Sequence, residues 1–138
     1  MKNKRYTAAF RKAVKTDSSD FKYVTTEKDC HRWFNILNQE LFSDILSKPT
    51  SIDIRRRQGT WAYVDHTYKI DNAEKKTIRL KLAMNNHYKN FKMFLNVLVH
   101  EMCHIYQAQY NLPMGHGESF REWKDIFAKR GLTLLEDY

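Results

Sequence analysis

The chain has 138 residues, 42% of them apolar, 14% aromatic and 29% charged, a balance that suits one compact domain and excludes collagen, coiled coil and bulk disorder. No window approaches about 18 consecutive apolar residues, and the opening MKNKRYTAAFRK lacks the apolar core of a secretory signal, so the expectation is an intracellular protein that neither spans a membrane nor is exported. The formal charge is +8, and six of the basic residues, Lys2, Lys4, Arg5, Arg11, Lys12 and Lys15, fall within residues 1–16 without a single acid, while the rest of the chain is nearly balanced.

Residues 1–20 therefore read as a basic N-terminal arm, either flexible or a short amphipathic helix, ahead of a folded domain over 21–138. Tyr6, Ala9, Phe10, Ala13 and Val14 recur at helical spacing, which allows a helix over 5–15. An organelle transit peptide has a similar composition. Such a patch attracts phosphate polyanions through a long-range, salt-sensitive force, and Arg55, Arg56 and Arg57 form a second basic cluster further in.

After a polar break at residues 16–20, Thr26 and Asp29 stand as a capping box, and Cys30, Trp33, Phe34, Leu37, Leu41 and Phe42 keep a 3.6-residue period, predicting a helix over 27–43. Beyond Pro49, Ile52, Ile54, Trp61, Tyr63, Val64, Ile70, Ile78, Leu80 and Leu82 fall into short alternating runs. These predict three or four strands in a small, mostly antiparallel sheet, joined as hairpins at Gln58-Gly59 and around residues 71–74.

From Phe91 to Tyr110 the chain reads FKMFLNVLVHEMCHIYQAQY, apolar on nearly every face, which predicts a helix through the middle of the domain. Ser119 and Glu122 can cap a closing helix over 119–130, with Gly131 as its stop. The fold class is α+β. Cys30 and Cys103 lie far apart with no CxxC, so both are expected to be reduced, packed thiols rather than a disulfide or zinc-ribbon ligands. Trp33, Trp61 and Trp123 read as core anchors.

Within the central helix stands His100-Glu101-Met102-Cys103-His104. Histidines at i and i+4 share one helical face, so two imidazoles can converge on one tetrahedral cation. A zinc ion held by three protein ligands keeps one position for water and lowers its pKa toward neutrality, and Glu101 is placed to take that water's proton and pass it to a leaving amine. Two histidines in an apolar helix also need polar partners, which a shared metal supplies. The third ligand must come from His116, Glu118 or Glu122, all beyond the turn that ends the helix. A metzincin is excluded, since Gln107 and Tyr110 stand where its Gly and third His belong. Small neighbours, Gly115 and Gly117, leave His116 room to turn back toward the metal. His66, His87, Tyr63, Tyr68 and Tyr88 are polar enough to bond a substrate, and spacing selects none of them.

HEMCH followed by His116-Gly117-Glu118-Ser119-Phe120 resembles the HExxH and HGxxF of the SprT-like metallopeptidases. Phe34-Asn35 through Glu40-Leu41-Phe42 is similar to that family's opening helix, and the strands with Trp61 and Ile78-Arg79-Leu80 come in the same order, so the resemblance covers about residues 28–127. It implies His100, His104 and His116 as zinc ligands, Glu101 as the catalytic acid/base, and an endopeptidase acting on DNA-associated or DNA-crosslinked proteins, with DNA and a protein substrate as partners. The gap before His116 is shorter than in the eukaryotic member Spartan, and residues 1–138 are expected to act without the cysteine zinc ribbon and long recruitment region of some relatives. This suits a compact bacterial or phage version, monomeric and cytoplasmic, or nuclear or organellar in a eukaryote. Two other readings stand beside it: a regulatory metallopeptidase of anti-repressor type that cuts one transcription factor, and a non-catalytic zinc-stabilised nucleic-acid-binding protein.

Overall fold

The computed structural model describes residues 2–16 and 21–136, so residues 17–20 of the polar break lie outside the described residues. In chain order the elements are α1 (Lys4–Lys15), β1 (Tyr23–Val24), α2 (Glu27–Phe42), β2 (Ser51–Arg55), β3 (Ala62–Asp71), β4 (Glu74–Asn85), β5 (His87–Tyr88), α3 (Phe91–Gln109), α4 (Glu118–Arg121) and α5 (Lys124–Lys129), an α+β fold. Among the described residues no helix is long and apolar enough to cross a membrane.

The amphipathic pattern at the N-terminus forms α1, capped by the Asn3 side chain, which accepts from the Arg5 and Tyr6 backbone N–H groups. At 3.6 residues per turn its basic residues occupy about a third of the circumference. Lys4, Arg5, Arg11, Lys12 and Lys15 are all exposed, while Phe10 and Ala13 on the other side enter the common core. The helix is fastened to α2 by paired bonds: the Asn3 N–H donates to Gln39 Oε1 at 2.7 Å, and Gln39 Nε2 donates to the Asn3 carbonyl at 3.0 Å.

Glu40 completes this fastening. Its side chain is fully buried, with Oε2 accepting from Thr7 Oγ1 at 3.0 Å and Gln39 Nε2 at 2.9 Å, and Oε1 accepting from Arg130 Nη2 at 2.9 Å. Burial alone would raise this carboxyl's pKa, but the bonds from Gln39 and Thr7, the Lys2 charge and the Arg130 bond together hold it below the ordinary carboxylate range.

Thr26 caps α2, accepting from the Asp29 N–H at 3.1 Å. The reciprocal half of the box is absent, because Asp29 Oδ2 instead accepts from Tyr23 Oη at 2.7 Å. The main sheet has the order β2-β4-β3. β3 and β4 form a long antiparallel hairpin whose turn, Asn72-Ala73, has positive φ at both positions, the backbone of a type I′ connection. β2 and β3 are not a hairpin: β2 lies parallel to β4, so the Gln58-Gly59 segment carries the chain from one side of β4 to the other. β1 and β5 make a separate two-residue antiparallel pair.

The central helix α3 begins at Asn90, whose side chain accepts from the Met93 N–H at 2.8 Å, and buries Leu95, Leu98, Val99, Met102 and Ile105 completely against the sheet and α2. The closing helix predicted over 119–130 is divided into α4 and α5. Gly117 supplies the α4 N-cap backbone, and Ser119 does not cap it, because its hydroxyl is drawn into the hydrogen-bond network beneath the histidines. Trp33 and Trp123 are core anchors, and Trp61 is half-buried against Tyr88. Both cysteines are free, fully buried thiols; burial pushes Cys30 up to about 12, and Cys103 is raised as well.

Candidate metal centre

α3 presents His100 and His104 one turn apart, with their Nε2 atoms 3.2 Å from each other. Gly115, at φ +116°, turns the returning chain in a way that L side chains rarely adopt, and brings His116 back to them. A Cβ at Gly115 or Gly117 would meet nothing within 4 Å, so backbone conformation and not side-chain room explains Gly115, and Gly117 serves as the α4 cap. One ligand atom from each of His100, His104 and His116 lies within 4.8 Å of the others, so this group can hold a metal ion. Glu118 and Glu122 are exposed and stand outside the group.

Phe120, fully buried, lies against all three imidazoles, with centroid distances of 4.9 Å to His100, 5.3 Å to His104 and 4.5 Å to His116. This gives the terminal Phe of the HGxxF segment a physical role as the floor on which the three rings rest.

The protonation of two of the rings follows from their neighbours. His100 Nδ1 faces the Leu135 carbonyl, which can only accept, so Nδ1 carries the hydrogen. His104 Nδ1 lies 2.8 Å from Gln107 Oε1, and the same reasoning applies. Burial lowers the His100 pKa to about 4, with the nearby His104 and His116 adding to the fall against the Leu135 bond, and burial lowers that of His104 as well. Both rings are thus neutral near pH 7, and both turn an acceptor Nε2 toward the other. With the two Nε2 acceptors 3.2 Å apart, a cation held by the two rings would be coordinated by both. The donor set therefore fits a divalent ion that favours imidazole.

Glu101 is buried beside the histidines, its Oε2 4.0 Å from His100 Nε2, and it lines the same open cleft of about 380 Å³. Ala62, Tyr63 and Val64 at the start of β3 form one wall of the cleft, while Met114 and Glu136 also border it. Of the polar residues that spacing does not rank, Tyr63 alone lines this cleft. Tyr88 is buried with its hydroxyl donated to the Trp61 carbonyl at 2.8 Å, His87 bonds Asn86, and His66 and Tyr68 pair with each other on the hairpin.

Among the basic residues, Lys2, Lys4, Arg5, Arg11, Lys12, Lys15, Arg55 and Arg56 are exposed. Arg55 pairs with Asp53 at 2.8 Å. Arg57 is turned inward: its Nε donates to the Met84 carbonyl and its Nη2 to the Asp53 carbonyl, so it joins β2 to β4.

Two contributors to the centre carry no sequence signal for it. Gln107 stands out in the sequence only as a residue that is not the glycine of a metzincin, and a backbone carbonyl such as that of Leu135 leaves no mark in a sequence.

The model of the SprT-like family matches residues 30–133, and the chain belongs to that family. No curated protein and no solved structure matches the chain at a significant level.

Proposed function

We propose that this chain is a zinc-dependent endopeptidase of the SprT type, acting on DNA-associated or DNA-crosslinked proteins. The observation that carries the reading is the convergence of three histidines, two of them locked as neutral acceptors, beside a buried glutamate at the base of an open cleft. His100, His104 and His116 would hold the ion. Bound zinc supplies Lewis acidity toward water and toward a scissile carbonyl.

The remaining chemistry belongs to the chain. Glu101 is within reach of the same space without joining the ligand group, which suits it to accept a proton from the attacking water and return it to the leaving amine. β3 is an edge strand of its sheet, and its first residues line the cleft, so an extended substrate segment can pair with this edge and lie across the histidines. The SprT-like membership and the exposed basic stripe of α1 support an encounter with DNA.

The test is to load the protein with zinc and offer an unstructured protein substrate, free or crosslinked to DNA, each with and without added DNA. Cleavage that fails with Glu101→Gln and is faster on the crosslinked substrate is the expected result. Zinc-loaded native protein that cleaves none of these substrates would overturn the peptidase reading, and equal cleavage of all of them would remove the preference for DNA-linked protein.

A further inference from the structure

We propose that Gln107 is a positioning residue of the metal centre, which sets the tautomer of His104 and ties the helix carrying two of the histidines to the loop carrying the third. The inference rests on the reading that these histidines hold zinc. Gln107 is completely buried near the end of α3, and a buried primary amide is costly unless its hydrogen bonds are made.

The direction of the amide is determined by its surroundings. The Gly115 carbonyl can only accept, and it lies 2.9 Å from Gln107 Nε2, so the NH₂ group must face the loop. The second NH₂ contact is Ser119 Oγ at 2.9 Å, and that hydroxyl donates onward to the Pro113 carbonyl at 3.2 Å. With Nε2 committed to the loop, Oε1 faces His104 Nδ1 and requires the ring hydrogen there, which directs the Nε2 lone pair of His104 toward His100.

The main chain of the same residue acts in the same sense, since the Gln107 carbonyl accepts from the Leu112 N–H at 2.9 Å where the chain leaves α3. One side chain therefore touches a metal-binding ring, the residue immediately before His116, and the residue immediately before Phe120. An apolar residue at 107 would fill the space but leave His104 free to carry its hydrogen on Nε2, the atom the metal requires bare.

The experiment reads the ring directly, by nitrogen NMR of the histidine side chains in the metal-free protein, together with zinc affinity by chelator competition. In the native chain His104 is expected to carry its hydrogen on Nδ1. Gln107→Glu keeps an acceptor and is expected to keep that tautomer, whereas Gln107→Met is expected to show the Nε2–H form and to bind zinc ~10–100-fold more weakly, the scale for losing an outer-shell partner. A residue that served only packing would shift the melting temperature and leave the tautomer and the zinc affinity alone, so native-like values for Gln107→Met overturn the proposal. Should that variant not fold, the native spectrum still decides, because a native His104 protonated on Nε2 overturns it equally. A native chain that binds zinc but cleaves nothing sinks the peptidase reading and leaves this inference standing; one that binds no zinc sinks both.

Discussion

Two buried polar clusters in this molecule differ in how they are balanced. Around Glu40, three donors converge on one carboxylate, and each of these bonds pairs a donor with an acceptor. Around His100 and His104, two Nε2 acceptors stand 3.2 Å apart, and a cation can be held by both. Both clusters bridge segments distant in sequence. The first holds α1 and the Arg130 segment to α2, while the second groups three imidazoles that can hold a metal ion. A buried polar cluster can thus serve as a fastener, where donors meet acceptors, or as a binding site, where several acceptors are gathered on one space.

The largest expected effects test the histidine cluster. Glu101→Gln should lower peptide cleavage by ~100-fold or more, the scale for losing a general base, with zinc content unchanged when metal is measured directly. A variant that keeps full activity, or loses its metal, would contradict the division between ligands and base. His116→Ala should weaken zinc binding by more than the ~10–100-fold that an outer-shell partner controls, while Glu118→Ala and Glu122→Ala leave the affinity measured by chelator competition unchanged. A glutamate variant that lost zinc while His116→Ala retained it would reverse this assignment.

Next in size is the Glu40 cluster. Arg130→Ala leaves a buried carboxylate short of a donor, but the Arg130 side chain is 37% exposed, so the usual cost of breaking a buried pair is discounted by solvent to about 2–3 kcal/mol. Urea unfolding of the metal-free protein measures it, and an unchanged midpoint would show that the cluster is not a fastener. The pH dependence has a definite sign. Because the folded pKa of Glu40 is depressed, its contribution is complete above the ordinary carboxylate range and is lost as the pH falls through the folded value. Stability measured down this range should fall less steeply in Glu40→Gln.

Much of this architecture is legible in the sequence, and the parts that are not have physical causes. The spacing of His100, Glu101 and His104 indicates one helical face because helix geometry is invariant, and the α1 stripe follows from the same period. Strand alternation, by contrast, reports which face is buried and says nothing about partner direction, so the parallel register of Ile52 with Leu82 has no signature in the sequence. The expected Ser119 cap does not form because a hydroxyl that can cap a helix can equally serve a neighbour, here Gln107. Gln107 itself gives no signal, since its partners lie 3, 8 and 12 residues away at no diagnostic spacing.

The smallest expected effect separates surface from fastener. Phe10 and Ala13 belong to the core, so deleting the arm would disturb the fold along with the charge. Arg11→Glu with Lys12→Glu changes only exposed positions. The pair should weaken duplex binding and flatten the log-log salt slope by about one for each phosphate no longer neutralised, with zinc affinity and melting temperature held. An unchanged slope would remove α1 from the DNA-facing surface.

The donor set at the centre also has a consequence for which element the protein acquires. Three imidazoles, with no thiolate or carboxylate among them, do not by themselves select zinc, and such sites follow the Irving–Williams order, in which copper(II) outranks zinc. The identity of an ion held there would therefore be governed by the supply in the compartment where the chain folds as well as by affinity. Protein produced in copper-rich or nickel-rich medium should carry those ions in proportion to their free concentrations weighted by their affinities, and its metal content will record its surroundings as much as its sequence.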